Sequence, residues 1–235
     1  MTVRSKKPAN RRNTAEAILE AAERLCAQNG IEAMSIRDVA AAVGISVPVI
    51  YHHYGSRGNL LRSICLHRFG EIASEYRQLL ATLEAQESPT VRDIIRCVLQ
   101  PVNHWRRAGR EVSLQFYALA LVCPVAEVKE ILDAGVANYH RPVALLERVL
   151  PHLSHEEICW RLYFTLKLSH LNAWDASRLA VLSDGRCDAS DPDDALTRAV
   201  AFAESAFLAP HQTAKRPAFK RAAKKSRHRG KSSPG

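Results

Sequence analysis

The sequence predicts an all-α protein in which a compact N-terminal three-helix unit precedes a larger helical body. Apolar residues recur at helical spacing along most of the chain, and no run of alternating apolar and polar residues is long enough for a strand. Prolines and Ser, Thr, Asp and Asn caps break the runs into helix-sized pieces. Near the N-terminus, two short apolar-striped runs meet at a tight Gly44-Ile45-Ser46 corner.

Each element follows from local chemistry. Asn13 with Glu16 resembles a capping box for a first helix that carries Ala15, Ile18, Ala22 and Leu25 on one face and stops at Asn29-Gly30. Ser35 caps a second helix with Asp38 three residues on, and this helix turns Ile36, Val39, Ala40 and Val43 inward. Gly44 then supplies the permissive backbone of the corner. Ser46 caps a third helix of about two turns, with Pro48 in its first turn, where a missing N–H matters least. Ser56 caps a fourth helix carrying Leu60, Leu61, Ile64 and Phe69. This fourth helix is expected at 57–83, with further helices at 89–107, 111–122, 124–150 with a break near Gly135 or Pro142, 154–174 and 192–208. Pro89, Pro101, Pro124, Pro142, Pro151, Pro192 and Pro210 supply the punctuation. Asp191 is the expected cap of the last helix, with Pro192 at its first position.

The 235 residues are 47% apolar, enough for a sizeable core. The net charge of +9 is unevenly spread. Residues 1–70 hold ten Lys and Arg against five Asp and Glu, residues 71–210 hold fourteen against nineteen, and residues 211–235 hold nine against none. Attraction to a polyanion therefore lies at the two ends. Residues 1–10 read as a flexible basic arm. Residues 211–235 read as a disordered basic tail, too poor in large apolar side chains to offset the entropy of ordering. No stretch approaches about 18 consecutive apolar residues and the N-terminus lacks a signal-peptide core, so a cytoplasmic protein without membrane contact is expected. The cysteines Cys26, Cys65, Cys97, Cys123, Cys159 and Cys187 are widely spaced, with no C-x-x-C pair, and read as reduced core thiols.

The stretch MSIRDVAAAVGISVPVIYHHYGSRGNLL, Met34 to Leu61, fits a helix-turn-helix whose second helix enters a DNA major groove. Ile36, Val39, Ala40, Val43 and Ile50 suffice to seat both helices. The face left over, with Arg37, Ser46, Val47, Tyr51, His52 and Arg57, is rich in hydroxyls and cations suited to phosphates.

Here the residues also carry a resemblance. From about Arg11 to Glu71 the chain is similar to the DNA-binding domain of the TetR family of transcriptional repressors, through AILEAAERLCAQNGIEAMSIRDVAAAVGIS and IYHHYGSRGNLL. The resemblance implies a DNA-binding domain at 11–71, with its motif at about 34–53, and a helical ligand-binding and dimerisation domain at 72–210. It implies a homodimer that binds a double-stranded DNA operator and responds to a small, partly apolar effector. Position by position, Ser35 and Arg37 would meet phosphates; Ser46, Val47, Pro48 and Val49 would open the reading helix; Tyr51 and His52 would face DNA; and Arg57 would stand where the family usually has a phosphate-binding lysine. The SVPV opening departs from the family's usual lysine, glycine and threonine, which shifts base readout toward methyl contacts and DNA shape.

Other chemistry has weaker support in the sequence. His52 and His53 point about 100° apart on a helix, which does not suit one metal ion. His152, His155 and Cys159 have better spacing for a metal but sit at a helix start where Ser154 and Glu157 form a capping box. No G-x-S-x-G, phosphate loop or H-E-x-x-H occurs, so no catalytic residue, metal or cofactor is expected. The alternatives are a helical small-molecule-binding protein without operator-specific regulation, or an enzyme. The resemblance also implies an effector pocket in the body, and Trp105, Phe116, Tyr117, Tyr139, Phe164 and Trp174 are its expected lining, because aromatics with polar tips suit a partly apolar ligand. The expected dimer seam is Leu162, Leu166, Ala173, Leu196, Ala199, Val200, Ala203 and Phe207.

Overall fold

A computed structural model describes residues 8–172, 176–188 and 190–210. Eleven α-helices follow one another, and no strand occurs among the described residues: α1 (Pro8–Asn29), α2 (Ile36–Val43), α3 (Val47–Tyr54), α4 (Arg57–Glu84), α5 (Val91–Arg107), α6 (Glu111–Ala120), α7 (Ala126–Val136), α8 (His140–Val149), α9 (His155–Asn172), α10 (Ala176–Leu182) and α11 (Pro192–Leu208). The short 3-10 turn Ala137–Tyr139 separates α7 from α8. None of the described helices is long and apolar enough to cross a membrane.

Most starts follow the expected capping. Ser35 accepts from the Asp38 N–H, Ser56 from the Asn59 N–H, and Asp191 from the N–H groups of Asp193 and Asp194. Thr90 and Asp93 form a full capping box at α5. Two expectations change. The first helix begins at Pro8 rather than at Asn13, because proline at a first helical position sacrifices only an N–H that has no intrahelical partner. Pro101 lies inside α5, within the expected 89–107 helix. Its neighbours Val98, Leu99 and Val102 are buried, so packing on both flanks holds the helix through the missing hydrogen bond. The expected 124–150 helix breaks at 137–139, between the two candidate positions, where the Asn138 side chain donates to the Gly135 carbonyl. Helix α10 was not expected.

Three apolar clusters hold the molecule. The N-terminal one joins Ile18, Ala22 and Cys26 of α1, Val39 of α2, Ile50 of α3 and Leu60, Leu61 and Ile64 of α4, and it continues into Phe116 and Ala120 of α6 and Val128 of α7. A large body cluster packs the end of α4 with α5, α8, α9 and α11. Between them lie Val102, Trp105, Leu114 and Tyr117, covered by Phe69 and Ile72 of α4. Packing thus runs unbroken from the N-terminal unit into the body, with α4 threading both.

The expected dimer seam is part of this core. Leu162, Leu196, Val200, Ala203 and Phe207 are buried within one chain, and Leu166 and Ala199 pack against them, because the regular apolar stripe of α11 is used against α5 and α9. Ala173 lies outside the described residues, as do the tail 211–235 and Trp174. Among the described residues, the large apolar side chains left exposed on these helices are Trp160, Tyr163 and Phe164 on α9 and Phe202 and Leu208 on α11.

Candidate nucleic-acid interface and body cavity

Two short helices and a left-handed corner build the first site. Gly44 adopts φ 73°, which a side chain would strain, and its N–H returns to the Ala40 and Ala41 carbonyls to close α2. The chain can then turn directly into α3. Ile50 points inward from α3, and Tyr54 donates its hydroxyl to the Ala15 carbonyl of α1 at 2.9 Å, fixing how the helix is presented. Burial, with the charge of Glu16 beside it, pushes the Tyr54 phenol up to about 12, so it remains a donor.

The outward face of α3 carries Ser46, Pro48, Tyr51 and His52. Ser46 makes no capping bond with its hydroxyl, and Tyr51 is half exposed. Arg37 on α2 is exposed and has no carboxylate within 4 Å among the described residues. Ser35 is half-buried and its hydroxyl donates to Asp38 at 2.6 Å.

Two expected contact residues are turned elsewhere. Val47 packs against the N-terminal core, because at three residues before Ile50 it shares that residue's inner face; Val49 is half-buried beside it. Arg57 reaches back to the turn between α1 and α2, with Nε 2.7 Å from the Met34 carbonyl and Nη2 at 2.7 and 2.9 Å from those of Ile31 and Glu32. Its guanidinium serves as a clamp on that turn, with Nη1 uncommitted among the described residues.

The second site is a cavity of about 1220 Å3 in the body, between α4, the α6–α7 segment, α8 and α9. Of the expected pocket residues, Tyr117 and Tyr139 line it. Phe116 is fully buried in the N-terminal core and stacks on Phe69, whereas Trp105 stands behind Tyr117 at 6.3 Å between ring centres. Phe164 faces outward and stacks on Trp160. The residues missed are Phe69 and Tyr76 on α4 and Trp160 and Tyr163 on α9. A signal existed for the first pair: Phe69, Ile72, Ala73 and Tyr76 follow i, i+3, i+4, i+7 spacing on one face of α4.

Two physical links join the sites. Cys123, Ile131 and Leu132 pack on the N-terminal core and also line the cavity, so the α6–α7 segment is a wall shared by both. A polar chain runs alongside. Tyr117 meets the Trp105 ring, Arg110 lies 4.6 Å above that ring, Arg110 pairs with Glu71, and Arg68 joins Glu71 at 2.9 Å to the buried Glu23 of α1 at 2.7 Å.

A helix-turn-helix with an exposed reading face, anchored on a helical body that encloses a cavity, defines a DNA-binding regulator class. Comparison with known proteins agrees at both ends of the chain. The family model described as bacterial regulatory proteins, tetR family, matches residues 18–64, and the model described as a tetracyclin repressor-like C-terminal domain matches residues 96–206. An HTH-type transcriptional repressor of Mycobacterium tuberculosis is 29% identical over 162 residues, covering 69% of this chain and 79% of that one. The repressor KstR2 of Rhodococcus jostii is 31% identical over 65 residues, 28% of this chain and 32% of that protein. Among solved structures, the fatty acid degradation regulator FadR from Bacillus halodurans superposes with a TM-score of 0.58 at 14% identity, over 86% of this chain and 97% of that one. NalD, the secondary repressor of a multidrug efflux pump in Pseudomonas aeruginosa, superposes at 0.56 with 16% identity, over 83% and 97%. The chain belongs to the TetR family and is a transcriptional regulator.

Proposed function

We propose that the protein is a homodimeric repressor that binds a pseudo-palindromic double-stranded DNA operator in the cytoplasm and leaves it when a small, partly apolar effector occupies the body cavity. The observation that carries this reading is the shared wall. Cys123, Ile131 and Leu132 touch both the cavity and the core of the N-terminal unit. An occupant that shifts this segment also shifts what α1 and α4 rest on, and interiors packed to crystal-like density transmit such a shift rather than absorb it.

Arg37 and Ser46 would meet backbone phosphates, and Pro48, Tyr51 and His52 would meet base edges, with residues 11–71 acting as the DNA-binding domain and 72–210 as the sensing and dimerising one. Ser35 would contribute by capping α2 and so fixing the helix start that faces the phosphates. Dimerisation would use Phe164 and Phe202, exposed apolar groups of α9 and α11 that do not line the cavity. A symmetric pair would set its two reading helices about one DNA turn (~34 Å) apart. The basic arm 1–10 and the tail 211–235 would add sequence-independent attraction, steepening the salt dependence by about 0.9 in log-log slope per phosphate neutralised.

The test is a mobility-shift titration on duplex from upstream of the protein's own coding sequence, against random duplex at matched salt. Equal affinity for the two would leave only a helical small-molecule-binding protein.

A further inference from the structure

The cavity wall carries a reactive arrangement that DNA binding does not use. His155 and Cys159 stand one turn apart at the start of α9, and both line the cavity. His155 Nδ1 lies 2.7 Å from Glu147 Oε1 on α8, and its Nε2 lies 3.5 Å from Cys159 Sγ. The carboxylate and the thiol thus face opposite nitrogens of one ring, which rules out a shared metal ion and sets the three groups in a line. With Glu147 ionised, the ring proton sits on Nδ1 and is donated to the carboxylate, which leaves the Nε2 lone pair for the Cys159 S–H. This is the geometry of a thiol with its base and the group that orients the base.

A second observation points to an occupant. Tyr76, only 4% exposed, also lines the cavity, and its hydroxyl has no hydrogen-bond partner among the described residues. Burial pushes that phenol well above its ordinary range, so it is a standing donor in need of an acceptor such as a carbonyl oxygen. The rings of Phe69, Tyr117, Tyr139, Trp160 and Tyr163 around it suit a flat or elongated apolar body.

Building on the reading of the cavity as an effector site, we propose that Cys159 is a nucleophile that adds to an apolar α,β-unsaturated carbonyl compound held there, with His155 as its base and Glu147 as a positioning residue. The Cys159 S–H proton passes to His155 Nε2 while a sulfur lone pair forms the C–S bond at the β carbon. The displaced π pair becomes an enolate. The imidazolium then returns the proton to the α carbon. The net change is addition of S–H across the double bond, with no oxidant and no second reactant. Burial, together with the charge of Glu147, holds the Cys159 thiol above its ordinary range, so it rests protonated and depends on the base. By contrast, burial pushes Cys26 and Cys65 up to about 12, and among the described residues no imidazole is hydrogen-bonded to either sulfur.

The experiment is brief exposure of the full chain to limiting N-phenylmaleimide, an apolar unsaturated carbonyl, followed by peptide mass mapping of all six cysteines. Cys159 is expected to react about ten times faster than the exposed Cys187, and His155→Ala is expected to slow Cys159 by about tenfold or more while leaving Cys187 unchanged. Glu147→Gln should slow Cys159 by less. Tyr76→Phe should raise the reagent concentration needed for half-maximal rate without changing the limiting rate. Modification of Cys159 no faster than Cys187, a rate indifferent to His155→Ala, or equal modification of Cys123, which shares the cavity but lacks the imidazole, would overturn the proposal. The adduct is read without DNA, so a missing operator preference would overturn the repressor reading and leave this one standing.

Discussion

Arg68 and Glu23 close a forked ion pair between α4 and α1, with Nε and Nη2 of the guanidinium 2.7–3.0 Å from the carboxylate oxygens and both residues almost wholly out of solvent. Glu23 sits on the otherwise apolar inner face of α1, where a lone carboxylate would be costly, and its partner comes from the helix that leads to the cavity. The remaining guanidinium nitrogen holds Glu71, which in turn holds Arg110 of the body. Removing one partner strands a buried charge, so Arg68→Ala is expected to cost about 3–5 kcal/mol, read as a lower urea midpoint. Combining Arg68→Met with Glu23→Leu should cost less than either change alone. A single mutant within about 1 kcal/mol of the parent would show that the pair carries no such burden.

Arg57 offers a choice between two roles. It donates three hydrogen bonds to carbonyls of the α1–α2 turn, so Arg57→Met should destabilise the fold by about 1.5–3 kcal/mol, the range for losing hydrogen bonds from a charged group. Thermal unfolding checks this. Unchanged stability with a salt slope shallower by about 0.9 would instead make it a phosphate contact.

Acid should loosen the Glu71 junction. Burial disfavours the ionised carboxylate, but the hydrogen bonds and charges of Arg110 and Arg68 outweigh it and hold Glu71 below the usual carboxylate range. A lowered folded value means the contribution is present above the unfolded value of about 4.3 and is lost as pH falls from there through the folded value. Urea midpoints measured across that window should drop less in Glu71→Gln than in the parent, with the mutant already weaker at neutral pH. Parallel curves would remove Glu71 from the account.

Phe202 and Ala203 are neighbours with opposite expected outcomes. Phe202 is 63% exposed and Ala203 is 3% exposed. Phe202→Glu should leave the monomer folded but shift sedimentation toward single chains at micromolar concentration. Ala203→Glu should unfold it, since the charge would enter the α5–α9–α11 core without a partner. A fully dimeric Phe202→Glu protein would place the interface on another face.

The helix-turn-helix was legible because its signals are local. Ser35 with Asp38, Gly44 in the corner and the stripe from Ile36 to Ile50 act within a few residues of one another. Orientation within that motif was only partly legible: Val47 and Arg57 differ from the outward residues by where neighbouring elements lie, which spacing alone does not encode. The dimer seam was misread for the same reason. An apolar stripe on α11 states that something covers it, not whether the cover is α5 of the same chain or a second chain. Phe116 likewise reads as an aromatic on a body helix, yet the packing of α6 against α1 places it in the N-terminal core. The cavity stripe from Phe69 to Tyr76 was visible on α4, but its neighbours across the space come from α6 to α9, far along the chain.

The central claim is that the outer face of α3 reads a specific DNA sequence, and fluorescence anisotropy on labelled duplex tests it most directly. The upstream duplex and a random duplex of equal length are titrated at the same salt with the parent protein and with Tyr51→Ala and His52→Ala variants. The account predicts that the parent prefers the upstream duplex by about a thousandfold or more, and that each variant keeps its fold and random-duplex affinity while losing about 1–3 kcal/mol of that preference. Equal affinity of the parent for the two duplexes, or variants that keep the full preference, would contradict it.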